Sequence, residues 1–322
     1  PYRLVTARPL SPSGDIAFAG AMTATPAVPA PRSSATHPAR LSGFLALTFA
    51  ISWLSWATAL LLGGDLTSPV VFAFFALGGA GPSLAALSYR LRGIGSPRMA
   101  RGGSTARWLP VAIACAAAPA VLAAVLAPVF GAPALTGAEP AAVLAENGGL
   151  LVFLATSAFA GPLSEEFGWR GYLQPRLRTR FSPLATALVL GTIWALWHTP
   201  LFLLAGTWQS GLGLGQGLGF LVAMVPMSLT YWFVSERLRG GVPGAVVFHL
   251  VGNVMLTLLP FTALASGVVF LATVLVIALV VLLLPGSGAR SSARLVPWPG
   301  RTGVRTEVKG ASGATTSRSS RG

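Results

Sequence analysis

Apolar residues run along this chain in blocks of about 20, separated by short polar or Gly- and Pro-rich stretches. Eight blocks are evident, near 42–62, 69–89, 108–130, 147–165, 183–205, 217–235, 242–260 and 263–284. A helical block of that length crosses a hydrocarbon core of ~30 Å. The pattern therefore predicts an all-α, polytopic membrane helix bundle of about eight spans, occupying residues 41–285. Residues 1–40 are rich in Pro, Ala, Ser and Thr and show no periodic apolar face. Residues 286–322 are polar and basic. Both flanks are expected to be unstructured.

Composition agrees with the pattern. Charged residues make up 9% of the 322 and the mean hydropathy is +0.71, where soluble chains carry roughly 25% charged residues. All 22 Lys and Arg fall in five places: Arg3 to Arg40, the 90–107 loop, Arg170 to Arg180, Arg237 with Arg239, and the tail. The alternate loops near 63–68, 131–146, 206–216 and 260–262 hold none, and carry Asp65, Glu139 and Glu146. Positive charge concentrates on cytoplasmic loops, so both termini are expected inside, with an even number of spans. Basic loops beside anionic lipid account for the net charge of +14. Nucleic-acid binding is not expected, because no basic stretch interleaves aromatics on a folded module. The single cysteine, Cys115, lies within the third span. It excludes an internal disulfide or a cysteine metal cluster and reads as small apolar packing. The run "GLGLGQGLG" (Gly211 to Gly219) follows no strand, so it is no dinucleotide fingerprint. It reads as an outer loop entering close helix packing through Gly215 and Gly219.

A charge in hydrocarbon costs at least ~2.5 kcal/mol and faces the bundle interior. The few polar groups in or beside spans are therefore informative: Glu165, Glu166, Arg170, His198, His249 and Asn253, with Glu236 at the end of the sixth span. Glu166 and Arg170 are four apart and share a helix face, acid first, the better order for a pair. Trp194 with His198, and His249 with Asn253, repeat that step on two further spans. Each feature alone has an ordinary reading: an interfacial ion pair, a helix-clip histidine, polar glue between helices. Trp169, Trp194 and Trp197 read as packing or interfacial anchors. Three helices carrying polar pairs together point to one interior pocket.

The segments "EEFGWRGYL", "WALWHTPLF" and "FHLVGN" resemble the three motifs of the CPBP family of intramembrane proteases, which includes CAAX prenyl endopeptidases of the Rce type and the bacterial Abi proteins. The motifs stand here as Glu165-Glu166-x-x-x-Arg170, Trp194-x-x-x-His198 and His249-x-x-x-Asn253. One position departs: Trp194 stands where the family has Phe. The resemblance implies an intramembrane endopeptidase in which Glu165, helped by His198, deprotonates a water. His249 and Asn253 would stabilise the oxyanion, with Glu166 and Arg170 bracing the site. It also implies that zinc could sit on Glu165, His198 and His249 with an open position for water; residue types alone leave a metal-free glutamate protease and a zinc enzyme both open. A peptide or lipoprotein substrate in a bacterial cell membrane is expected, since the Ala-, Gly- and Arg-rich composition looks like a high-GC bacterium. No His-Glu-x-x-His occurs, no span holds Gly-x-Ser-Gly, and "GGDL" is not Gly-x-Gly-Asp. The other readings are a proton-coupled transporter and an inactive member acting as scaffold or immunity factor.

Depth poses a difficulty. At ~1.5 Å per residue, His198 lies ~22 Å into its span if that span begins at Pro183, whereas a glutamate pair closing the fourth span would lie at the interface. The expected solution is a pair dipping inward beneath an amphipathic surface helix, "RGYLQPRLRTRF". Leu173, Leu177 and Phe181 would face lipid with Arg176 and Arg180 opposite, leaving a lateral entrance from the cytoplasm.

Overall fold

The computed structural model describes residues 38–97, 104–259, 261 and 263–285. The tail 286–322 and most of the segment 1–40, both expected to be unstructured, lie outside the described residues. Helices account for nearly all of what is described: α1 (Pro38–Leu61), α2 (Pro69–Gly79), α3 (Gly81–Leu91), α4 (Thr105–Leu126), α5 (Ala138–Glu146), α6 (Leu150–Phe159), α7 (Pro162–Gly168), α8 (Gln174–Arg178), α9 (Pro183–His198), α10 (Leu214–Trp232), α11 (Gly241–Leu258) and α12 (Leu264–Leu283). No strand forms among the described residues, and Asp65 and Ala205 make an isolated bridge between two loops. Seven stretches are long and apolar enough to cross a membrane, and the pair α2–α3 makes an eighth bent by 55°. The expected bundle of about eight spans is borne out.

Two spans are broken, each for a local reason. Pro82 lacks the N–H that would bond to the carbonyl of Gly78, which bends α2 away from α3. Between α6 and α7 the chain turns at Gly161, whose φ of 146° disfavours any side chain, and Pro162 restarts the helix. A π-helical stretch, Trp169–Leu173, then joins α7 to α8. A second, Phe233–Arg237, ends α10. Elsewhere helix starts follow familiar chemistry. Ser182 Oγ accepts from the Ala185 N–H, with Pro183 in the first turn of α9. In the glycine run, Gly215 does meet α12, where an added Cβ would lie 2.9 Å from Leu264. Gly219 meets nothing, contrary to expectation.

The core gathers aromatic side chains from α1, α9 and α10 with the 169–173 stretch. Trp56 packs at a tilt against Trp197, and Trp169 meets Trp197 edge-on. α7 lies close on α3: a Cβ on Gly168 would fall 2.3 Å from the backbone of Pro82. The glycine inside "EEFGWR" is thus what lets the glutamate-bearing helix approach its neighbour.

Candidate active site

Residues 170–181 depart from the amphipathic surface helix expected of them. Leu173 and Leu177 are buried, but so are Gln174, Arg176 and Arg178. No amphipathic surface helix forms there. Arg176 Nη2 donates to the Gly95 carbonyl at 2.8 Å, and Arg178 Nε reaches Glu236 at 3.0 Å. The fourth span therefore continues from the break at Gly161 through α7 and the π-helical stretch to Arg178. Counting ~1.5 Å per residue from Arg178 puts Glu165 ~20 Å from that end, close to the depth of His198. The depth difficulty dissolves because the glutamates lie within the span rather than at its edge.

Both carboxylates are buried. Glu165 Oε2 accepts from two indoles, Trp194 Nε1 at 2.8 Å and Trp169 Nε1 at 3.2 Å. Those tryptophans were expected to be packing or interfacial anchors; they are hydrogen-bond donors that fix the carboxylate. Its other oxygen faces a point shared with α11. A Cβ built on Gly161 would stand 3.4 Å from Glu165 Oε1, 3.2 Å from His249 Nε2 and 3.1 Å from Asn253 Nδ2. An acid, an imidazole and an amide thus ring one small space, which exists because residue 161 has no side chain.

Glu166 turns the other way. Its Oε1 accepts from Arg170 Nη1 at 3.0 Å and from His249 Nδ1 at 2.8 Å. Arg170 is fully buried, and its Nε and Nη2 find no hydrogen-bond partner. Instead the guanidinium lies 3.6 Å from the centre of the Tyr231 ring and 4.4 Å from that of Trp194; aromatic faces attract a desolvated cation. The pair acts as a brace, and because Nδ1 of His249 donates to Glu166, the Nε2 of that ring points into the shared space.

His198 ends α9, one turn beyond Trp194. Its Nδ1 donates to the Trp194 carbonyl at 2.8 Å, which fixes the tautomer and leaves Nε2 as an acceptor. The ring packs edge-on against Trp197 and Phe220. It lines the same cavity as Glu165, Gly161, Tyr231, His249 and Asn253, of about 740 Å³, without a hydrogen bond to Glu165. No three or more His, Cys, Asp or Glu side chains among the described residues are spaced to hold one metal ion.

Sequence reading missed Gly161 and Tyr231 and the donor role of the tryptophans. The dipeptide Gly161-Pro162 just before the glutamates is a helix-break signal that could have exposed the first. The departure at Trp194 could have exposed the last, since an indole adds an N–H that Phe lacks.

Fold and site together define a multi-pass helical membrane protein with a buried carboxylate, imidazole and amide facing one cavity. Residues 147–255 match the model of the family described as type II CAAX prenyl endopeptidase, Rce1-like, and that stretch contains all six site residues. The chain is also 30% identical over 120 residues to CAAX prenyl protease 2 of Methanococcus maripaludis, a match covering 35% of this chain and 44% of that relative. The chain thus spans less than half the length of the curated relative it matches. The resemblance carried by the three motifs is borne out over that third of the chain.

Proposed function

We propose that this chain is an intramembrane endopeptidase that hydrolyses a peptide bond with a water held at the point facing Gly161. Glu165 Oε1 takes a proton from that water, and His198 Nε2 accepts from its second hydrogen. The water oxygen attacks the carbonyl carbon. Asn253 Nδ2 donates to the oxygen that becomes negative, and His249 does so from Nε2 when protonated, its charge balanced by Glu166. As the C–N bond breaks, the proton on Glu165 passes to the leaving nitrogen. Preformed donors in a low-dielectric site contribute ~2.7–4 kcal/mol each to such a transition state.

The observation that carries this reading is the convergence of Glu165 Oε1, His249 Nε2 and Asn253 Nδ2 on one water-sized space beside a glycine. A proton-coupled transporter would not need an amide aimed at the same point. The chemistry is proposed to be metal-free and the termini cytoplasmic. The test is cleavage of a fluorogenic peptide library in detergent by the wild type, Glu165→Ala and His198→Ala, with and without a chelator. Turnover lost in both variants and indifferent to the chelator is the expected result. Turnover unchanged in both would remove the assignment.

A further inference from the structure

Proline at position 200 takes a backbone donor away from the end of α9. The α-helix closes at His198, and the chain tightens into a 3₁₀ turn over Thr199–Leu203. An N–H on residue 200 would serve the Leu196 carbonyl in the α pattern and the Trp197 carbonyl in the 3₁₀ pattern; proline has none. Thr199 Oγ1 donates to the first carbonyl at 2.8 Å. The second accepts from Trp53 Nε1, on α1, at 3.2 Å. α1 lies outside the stretch that matches the family model, residues 147–255.

The Trp197 carbonyl and the His198 N–H belong to one planar peptide unit. Holding that carbonyl therefore holds the plane from which the imidazole-bearing residue starts. The imidazole is also tied at Nδ1 to the Trp194 carbonyl, and the Trp197 ring is packed by Trp56 at 4.8 Å and Trp169 at 5.7 Å between centroids. Trp53 is 40% exposed. Its ring rests on Phe49 at the surface of the bundle, while its N–H reaches the end of α9.

We propose that Trp53 is a positioning residue for the reaction: by holding the Trp197 carbonyl, its indole N–H sets where His198 Nε2 points. The inference rests on the hydrolase reading above for the role of His198, and it gives α1 a part in turnover that the three motifs do not contain. A catalytic group displaced by an ångström or less costs rate, while substrate contacts elsewhere in the cavity stay as they were. The loss should therefore fall on kcat.

Two variants test this in detergent. Trp53→Phe keeps a ring and loses the N–H; adding Pro200→Ala restores a backbone donor at the end of α9. On the peptide that the wild type cleaves, Trp53→Phe should lower kcat about tenfold with KM within twofold, and the double variant should recover at least half of the wild-type kcat. Imidazole ¹⁵N NMR of histidine-labelled protein gives a second readout. The His198 signals, identified by their loss in His198→Asn, should move in Trp53→Phe and return in the double variant. A lower melting temperature with kcat and the His198 signals unchanged would make Trp53 a packing residue and overturn the proposal. So would a loss of kcat that Pro200→Ala fails to recover. If the wild type cleaves nothing while the His198 signals move and return, the clip from α1 stands and the hydrolase falls.

Discussion

The two ends of this bundle use polar residues in opposite ways. Toward the basic loops, buried polar groups bond to one another or to backbone carbonyls: Arg178 with Glu236, Gln174 with Ser235, Arg176 with Gly95. Toward the arginine-free loops, polar atoms are held from behind and left open in front. Glu165 is gripped at Oε2, His249 at Nδ1 and His198 at Nδ1, so that Oε1 and two Nε2 atoms face the cavity. A satisfied buried polar network rigidifies, and an atom left facing a cavity is available for chemistry. The π-helical stretch Trp169–Leu173 lies at the boundary between the two.

Substitutions can separate these regions. The largest effect is expected at Glu165→Gln. The amide keeps an oxygen for the indoles of Trp194 and Trp169 but cannot take a proton, so kcat should fall by about 10³–10⁴-fold, at or near the full general-base contribution. The melting temperature in detergent should hold. Activity within tenfold of wild type would show that the base lies elsewhere. Asn253→Ala removes one donor to the developing oxyanion, and kcat should drop about 10²–10³-fold with KM little changed. A change in KM alone would make Asn253 a binding or packing group.

At the closed end the expectation reverses. Arg178→Met leaves Glu236 buried without its partner, and breaking such a pair costs about 3–5 kcal/mol. The protein should melt earlier, while the folded fraction keeps kcat within about threefold. If instead kcat falls with stability unchanged, the closed end takes part in turnover and the contrast between the two regions fails.

How much of this was legible in the sequence follows from what each feature depends on. Span positions depend on block length, and seven of the eight blocks match the helices to within a few residues, whereas the fourth, near 147–165, continues as helix to Arg178. Glu165, His198, His249 and Asn253 stood out because ionisable and amide groups in apolar blocks are costly, and the cost is local. The break at Gly161 was written in Gly-Pro, but its meaning depends on α11 standing across from it. Burial of Arg176 and Arg178 was not legible. Alternating apolar and basic residues look like a surface helix until a neighbouring loop supplies the Gly95 carbonyl and α10 supplies Glu236. The indole of Trp194 gave no sign of its direction, because that is set by where α7, held against α3 and α11, places Glu165.

That indole gives the smallest and most discriminating test. The family motif has Phe at this position, which would fill similar space without an N–H. Trp194 Nε1 donates to Glu165 Oε2 at 2.8 Å, and Trp169 Nε1 to the same oxygen at a longer 3.2 Å. Trp194→Phe leaves the carboxylate one donor and lets it rotate, so Oε1 spends less time facing His249 and Asn253. A hydrogen bond to a charged group contributes ~1.5–3 kcal/mol, part of which Trp169 retains. Turnover should fall about tenfold. Losing a donor to the charged form also disfavours that form, so the lower limb of the kcat against pH profile should move to higher pH. A purely packing role would lower the melting temperature and leave the profile in place. If Trp169→Phe and Trp194→Phe each shift the profile and the double variant shifts it further, the two tryptophans hold the base together; a shift from neither returns both to the packing role that their sequence positions suggested.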